Sequence, residues 1–172
     1  KGVTEEDLID ATTAAFKAGW SSIKLYFMIG LPTETIEDIM AIIDLVKKVK
    51  DVGRKNANRR PQITVSISTF IPKPHTPFQW EPLMEKEEIW ARQEILKKNL
   101  RGRSIKLQWN DWDTSMLESL FSRGDKRLGK VLLRAWQKGC RFDGWDEQFE
   151  KKLWWEAIAE EELPWRDLIA RN

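Results

Sequence analysis

The spacing of hydrophobic residues in the first half of the chain predicts strands and helices in turn. Residues 23–29 and 62–71 are rich in β-forming side chains, and the second segment alternates isoleucine and valine with threonine and serine. From about Glu34, apolar residues recur at helical spacing. A polar, basic connection over 51–61 follows this helix. The pattern therefore predicts two strands separated by a well-buried helix.

Three further elements extend this pattern. Thr4 and the acidic residues after it predict a capped helix over 4–18. After the second strand, a proline-spaced segment precedes a charged helix over about 85–101, and 104–109 predicts a third strand. The order α-β-α-β-α-β predicts parallel strands joined by right-handed crossovers.

The composition changes after Trp109, and seven of the ten tryptophans lie from Trp109 to Trp165. Three helices are predicted there: one capped by Asp113 and ending before Gly124, one capped by Asp125 and ending before Gly139, and one from Trp145 to about Glu160. Tryptophans are more often core residues than stacking platforms. We therefore expect a helical extension with its own small core.

Charge and cysteine content exclude several classes. A net charge of +2, from 29 Lys+Arg and 27 Asp+Glu, is too small to indicate a polyanion partner for the whole chain. Cys140 alone cannot form an intrachain disulfide, a zinc ribbon or a cysteine-held iron–sulfur cluster. No apolar run reaches the roughly 20 residues that cross a bilayer, and the first residues lack a signal-peptide core. We expect a cytoplasmic chain with no membrane partner.

Polar residues share one face of the first two predicted strands. This face carries Lys24, Tyr26, Met28 and Gly30 in the first strand, and Thr64, Ser66, Ser68 and Phe70 in the second. A central parallel strand is normally apolar on both faces. The pattern indicates either a barrel lumen that holds a ligand or an edge strand that faces water.

Two loops follow the carboxyl ends of these strands. Residues 30–35 lie where a helix begins, which is a common ligand position in α/β folds, although a turn with a capped helix also explains them. The loop over 70–80 carries His75, the only histidine. A single histidine cannot assemble a metal site, and it either forms a loop hydrogen bond or acts in catalysis. We expect this loop to wall the mouth of the cavity.

Basic residues cluster over 47–60 and 97–106. Together with exposed aromatic residues, such clusters bind RNA phosphates and stack bases. An alternative function is therefore a stand-alone RNA-binding α/β module. A solvated helix face and loop explain the same charges.

Several motifs resemble one known family. They are IKLYFMIGLPTET over 23–35, SISTFIPKPHTPFQW over 66–80, FSRGDKRLG over 121–129 and RFDGW over 141–145. In this order they resemble the later strands of radical S-adenosylmethionine (SAM) enzymes, and most closely the subgroup with an N-terminal cobalamin-binding domain. The resemblance covers nearly the whole chain.

This resemblance implies an α/β fold. Residues 1–110 would form the C-terminal portion of a partial (β/α)6 TIM-like barrel with parallel strands, and 111–172 an α-helical extension. The implied SAM-adjacent residues are Met28, Ile29 and Gly30 beside the adenosine, and Phe70, Ile71 and Pro72 near the adenine. The implied substrate-cavity residues are Lys24, Tyr26, Ser66, Ser68 and His75. The resemblance assigns no catalytic residue and no metal ligand within the chain.

The family cofactors are implied to lie upstream of Lys1. The CxxxCxxC loop that holds the [4Fe–4S] cluster is missing from this chain, so the cluster, the site of the SAM methionine and the cobalamin domain would all precede it. In the family, reductive cleavage of SAM gives a 5′-deoxyadenosyl radical that abstracts hydrogen from a substrate in the lumen. We expect a fragment of a longer enzyme that binds no cofactor and has no activity alone.

The expected partners follow from that resemblance. They are the upstream half of the same barrel, the cobalamin-type domain and an unidentified substrate, for which RNA is one candidate. An incomplete barrel exposes a parallel-sheet edge, and exposed edges promote self-association. We therefore expect the isolated chain to self-associate through that edge.

Overall fold

The computed structural model describes residues 2–169, and their backbone contacts divide them into two compact units. The first unit comprises 2–70 and 84–110, and the second comprises 71–83 and 111–169. The proline-spaced segment 71–83 thus belongs to the same unit as the C-terminal helices. No described helix has both the length and the apolar character needed to span a bilayer.

The first unit alternates helices and strands. Its elements are α1 (Glu5–Lys17), β1 (Ser22–Ile29), α2 (Ile36–Asn56), β2 (Gln62–Thr69), α3 (Lys86–Asn99) and β3 (Ile105–Trp109). These bounds confirm the predicted α-β-α-β-α-β order and the parallel strands.

Helix α2 is longer than predicted, because it continues to Asn56 through half of the expected connection. Gly53 does not end the helix but lies on its buried face. A Cβ atom at Gly53 would lie 2.7 Å from Cβ of Pro61 and 2.9 Å from Cζ of Phe16. Close packing between α2 and its neighbours therefore requires glycine at this position.

The three strands form one parallel sheet in the order β1-β2-β3. The register places Tyr26 opposite Ser66 and Ser66 opposite Gln108. Helix α2 contacts α1, α3 and β2. The strand order follows the chain without reversal, so right-handed crossovers place the connecting helices on one face of the sheet.

The core of the first unit lies on that helical face. The central strand buries Ile63, Val65 and Ile67 there, as its alternation predicts. Other buried apolar residues are Ile39, Ile43 and Val46 in α2 and Ile89 and Leu96 in α3. Each large aliphatic side chain contributes about 1.5–3 kcal/mol by leaving water. This burial fixes which strand residues remain on the opposite face.

The second unit is helical. It contains α4 (Trp112–Arg123), α5 (Leu128–Gln137), a 3-10 turn (Asp146–Gln148), α6 (Lys151–Glu160) and α7 (Trp165–Ile169). Helix α4 contacts α7, and α5 contacts α6. Arg134 of α5 and Lys138, which caps the end of that helix, form ion pairs with Glu160 of α6.

The predicted starts of these helices are wrong by a few residues. The cap of α4 is Asp111, whose side chain accepts a hydrogen bond from the backbone N of Asp113 at 2.8 Å. Asp125 accepts from the backbone N of Arg127, and α5 begins only at Leu128. The predicted helix from Trp145 divides into the 3-10 turn and α6. Local capping patterns thus predict the region where each helix begins but not its first residue.

The prediction that the tryptophans form the core of this unit is wrong for several of them. Trp112 and Trp154 are buried, whereas Trp136 and Trp145 are 55% and 66% exposed. Smaller residues fill the core instead, among them Met116, Leu120, Val131, Ala135 and Ile158. In α5, Val131 and Ala135 share the buried stripe, so Trp136 points away from it.

Candidate functional site

The sheet of the first unit presents a polar face opposite its core. This face carries Lys24, Tyr26 and Met28 from β1, Thr64, Ser66 and Ser68 from β2, and Lys106 and Gln108 from β3. Tyr26 is 74% exposed and Met28 is 45% exposed. The side chains of Ser66 and Ser68, on the central strand, are half-buried. Four of the five predicted cavity residues thus lie on one surface.

The groups on this face are suited to hold a polar molecule. Lys24 Nζ lies 5.0 Å from the centroid of the Tyr26 ring, which is a cation–π distance. Ser68 Oγ donates a hydrogen bond to the carbonyl of Phe27 at 3.3 Å. The face therefore offers an ammonium group, a phenol and hydroxyls. Across the described part of the chain, no group of three or more His, Cys, Asp or Glu side chains could hold a metal ion.

Gly30 directly follows strand β1, in a turn that requires glycine. Its φ of +84° is in the left-handed region, where other residues cost about 1–2 kcal/mol. A Cβ atom at Gly30 would lie 2.8 Å from Cδ1 of Ile89 and 3.5 Å from Cβ of Met84. The turn thus brings the main chain directly against the start of α3.

Glu34 fixes this turn through a buried ion pair. Its two carboxylate oxygens each accept a hydrogen bond from Gly30 N at 3.0 Å. Oε1 also accepts from Arg92 Nε at 2.7 Å, and the side chains of Glu34 and Arg92 are only 5% and 10% exposed. Arg92 Nη1 donates in addition to the carbonyl of Glu88. The pair therefore connects the turn after β1 to α3.

Sequence reasoning missed this pair. Glu34 precedes a helix, so the local pattern predicts that it complements the helix dipole. In the structure it turns back to Gly30 instead. Arg92 is 58 residues further along the chain, and the sequence contains no local signal that joins the two.

The start of α2 is held by a reciprocal cap. Asp38 accepts hydrogen bonds from the backbone N of Thr35 at 2.8 Å and from its Oγ1 at 3.0 Å. Both bonds lower the pKa of the Asp38 carboxyl, and the bond from the backbone of Thr35 makes the larger contribution. The capped helix predicted after the 30–35 turn therefore has its cap at Thr35.

The predicted SAM-adjacent residues of the first unit differ in accessibility. Met28 is on the open face, whereas Ile29 is fully buried and its side chain belongs to the core. Phe70 follows β2 with its ring 8% exposed, and its backbone N donates to the carbonyl of Ile29 at 2.8 Å. The carboxyl ends of β1 and β2 are thus joined beside the Gly30 turn.

Three predicted site residues belong to the second unit. Pro72 is buried, Ile71 is half-buried and His75 is exposed. His75 has a φ of 62°, and its backbone N donates to Oε1 of Gln79 at 3.2 Å. The backbone of this histidine is therefore fixed in a turn within its own unit.

A hollow of about 360 Å³ lies beside β1, and its polar lining consists of Thr33, Glu34 and Asp38. Its apolar lining includes Phe27, Leu31, Pro32 and Ile42. Within residues 2–169, β1 pairs with β2 alone, so its other edge faces no strand. An unpaired strand edge of this kind is open to pairing with another strand.

Comparison with known proteins identifies a relative of unestablished function. The chain is 34% identical over 169 residues to an uncharacterized protein of Methanocaldococcus jannaschii. The alignment covers 92% of this chain and 36% of that protein, so the chain spans about a third of the relative's length. No protein-family profile matches the chain. No solved structure matches it.

Proposed function

We propose that this chain forms the C-terminal part of the catalytic barrel of a radical SAM enzyme, with the polar sheet face turned to the lumen. The sheet is the observation that carries the proposal. Its parallel strands follow chain order, bury their apolar side chains toward the helices and carry Tyr26 and Ser66 on the opposite face. In a (β/α) barrel that holds a ligand, the strands likewise turn apolar side chains to the helices and polar side chains to the lumen.

The free edge of β1 supports this proposal. The hollow lined in part by Phe27, Leu31 and Ile42 lies beside the same strand. A preceding strand of the same barrel would pair with β1 and cover these side chains. The archaeal relative is nearly three times as long as the stretch it shares with this chain, so its length accommodates such strands. Self-association of the isolated chain through this edge stays a prediction.

The residues present fit SAM but not the iron–sulfur cluster. Cys140 is the one cysteine and is buried in the second unit, so the cluster and cobalamin would be held by residues outside this chain. Met28 and Gly30 lie at the carboxyl end of a parallel strand, where α/β proteins bind ligands. The exposed thioether of Met28 suits an adenosine, and the bare Cα of Gly30 permits close approach. Bound SAM, after accepting one electron from the cluster outside this chain, would supply the group that abstracts a hydrogen atom from the substrate.

The side chains of this chain would bind and orient the substrate. Lys24 and Tyr26 offer a positive charge and a phenol hydroxyl on the lumen face, and Ser66 lies directly opposite Tyr26. Glu34 and Arg92 are positioning residues, because their ion pair fixes the Gly30 turn. A barrel lumen also excludes water from reactive species.

Formation of 5′-deoxyadenosine tests the proposal. After iron–sulfur reconstitution, with SAM and dithionite, this chain alone should release none. A longer polypeptide from the same coding sequence, with an upstream CxxxCxxC loop, should release it. The proposal is overturned if this chain alone produces 5′-deoxyadenosine, or if the coding sequence upstream contains no such loop.

A matched pair of methionine variants tests the position of SAM. In the longer polypeptide, Met28→Asp should reduce 5′-deoxyadenosine formation by about tenfold or more, because it introduces a charge beside an apolar ligand surface. Met40 on α2 is 39% exposed, which is close to the 45% of Met28. Met40→Asp should therefore retain activity within about twofold. Equal losses in the two variants would contradict the assignment of Met28.

A further inference from the structure

A strongly basic cavity of about 390 Å³ lies at the amino-terminal end of the sheet. It is formed by the end of α2, the residues that lead into β2 and the turn before β3. Its charged lining consists of Lys50, Arg54, Arg59, Arg60 and Arg103. The lining contains no carboxylate among the described residues. Parallel strands separate this cavity from the carboxyl-end turn at Gly30.

Most of these cations lack an acidic partner. Arg54 Nη1 lies 3.8 Å from Asp51 Oδ1, and both side chains are exposed. Within the described part of the chain, Lys50, Arg59 and Arg103 have no carboxylate oxygen within 4.0 Å. Exposed pairs such as Arg54–Asp51 contribute about 0–1 kcal/mol. The cavity therefore keeps a large uncompensated positive charge.

The cavity has a partly fixed wall. Arg60 Nε donates a hydrogen bond to Ser104 Oγ at 2.9 Å, and Ile63 N donates to the carbonyl of Ser104 at 2.8 Å. Ser104 is buried. These bonds hold the entries to β2 and β3 side by side, and so bring two distant basic segments together.

The helix dipole explains only part of this charge. The last turn of α2 carries about half a negative charge, which favours cations such as Arg54 there. Arg59, Arg60 and Arg103 lie outside any helix, so the dipole gives no reason for them. Like charges this close repel one another, and an anion between them removes that repulsion.

We infer that this cavity binds the phosphate groups of a ligand that carries two or more of them. Guanidinium groups match phosphate oxygens in charge and in hydrogen-bonding geometry. The volume of about 390 Å³ lies within the range of small-ligand sites, roughly 300–1,000 Å³. The phosphates can belong to a free nucleotide or to the backbone of single-stranded RNA. The inference does not rest on the proposed radical SAM function.

Binding of two probes to the full chain tests this inference. The probes are inorganic tripolyphosphate, measured by calorimetry, and a labelled single-stranded RNA of about twelve nucleotides, measured by fluorescence anisotropy. Both should bind, and RNA affinity should fall roughly tenfold or more between about 50 mM and 200 mM salt, because phosphate contacts release counterions. Tripolyphosphate should displace the RNA.

Two matched triple variants localise the binding. Arg54→Gln/Arg59→Gln/Arg103→Gln removes three charges from the cavity and should weaken both probes by about tenfold or more. Lys17→Gln/Lys130→Gln/Lys152→Gln removes three exposed charges outside the two basic clusters and should change binding by less than about threefold. Thermal melting checks that each protein is folded. Arg59→Gln alone is a milder variant, and it should lose less affinity for both probes.

The outcomes distinguish the source of the phosphates. Tighter binding of RNA than of tripolyphosphate, with both lost in the cavity variant, assigns the site to RNA. Tighter binding of tripolyphosphate assigns it to a nucleotide-like ligand. The inference is overturned if neither probe binds the unmodified chain at about 50 mM salt. It is also overturned if the two triple variants lose affinity equally.

Discussion

The two ends of the parallel sheet use arginine in opposite ways. At the carboxyl end, the side chain of Arg92 is 10% exposed and pairs with Glu34. At the amino end, Arg59 and Arg103 are exposed and have no carboxylate partner among the described residues. A buried, fully hydrogen-bonded arginine fixes the backbone, whereas exposed arginines without partners remain available to a ligand.

This difference separates a structural charge from a binding charge within one unit. Burying Glu34 and Arg92 costs desolvation energy, and their hydrogen bonds to each other and to the backbone offset that cost. The exposed arginines keep their hydration and lose little when a phosphate replaces water. Substitutions at the two ends should therefore have different readouts, stability at one and binding at the other.

The largest expected effect on stability is that of Arg92→Ala. It leaves the Glu34 carboxylate buried with Gly30 N as its remaining partner, and removing one member of a buried pair costs about 3–5 kcal/mol. Urea denaturation followed by circular dichroism measures the loss. Arg103→Ala, at the exposed end, should change the free energy of unfolding by less than about 0.5 kcal/mol. Similar losses in the two variants would remove the distinction between the ends.

A smaller loss is expected for Gly30→Ala. Alanine at a φ of +84° costs about 1–2 kcal/mol, and its methyl group must displace Cδ1 of Ile89. The control is Gly129→Ala in α5, where an added Cβ meets no described atom within 4 Å outside its immediate surroundings. Alanine favours helices, so the control should be neutral or up to about 1 kcal/mol more stable. Unchanged stability of Gly30→Ala would show that the turn relaxes freely.

Acid should produce the smallest effect, through the carboxylates that cap helix starts. The pKa of Asp38 lies below its ordinary value of 3.8 because Thr35 donates hydrogen bonds to the carboxylate. A depressed pKa in the folded state gives stability that is present above the unfolded pKa and lost as pH falls through the folded one. Unfolding free energies measured from about pH 6 to pH 2 should fall less steeply in Asp38→Asn than in the unmodified chain.

A second cap checks this pH dependence. Asp7 accepts hydrogen bonds from Thr4 in the same way, and its pKa is lowered for the same reason. Asp7→Asn should therefore flatten the acid dependence in the same direction. Identical slopes in all three proteins would show that the caps form equally in the unfolded state.

Much of the fold could be predicted because its signals are local. The alternation of β2 predicts both the strand and its polar face, which the register with β1 confirms. The end of α2 was not predictable, since its last residues, including Gly53, resemble the polar, basic connection predicted over 51–61. Glycine is required at position 53 because Phe16 and Pro61, which are far apart in the sequence, both approach it closely.

The site features that escaped prediction depend on long-range neighbours. Glu34 has a complete local explanation as a helix-start carboxylate, so nothing indicates Arg92 as its partner. The two basic segments are visible in the sequence, but only the pairing of Ile63 with Ile105 brings them to one cavity. Hydrophobicity alone likewise does not reveal that Trp136 faces water.

The single cysteine has a practical consequence. Cys140 is 5% exposed. Burial makes the largest contribution to raising the pKa of its thiol, and nearby carboxylates raise it further. A thiol that is both shielded and protonated reacts slowly with alkylating reagents. Because it is the one cysteine in 172 residues, its labelling rate reports the opening of the second unit. The rate at which the second unit opens can thus be measured by itself in proteins whose first unit carries a substitution.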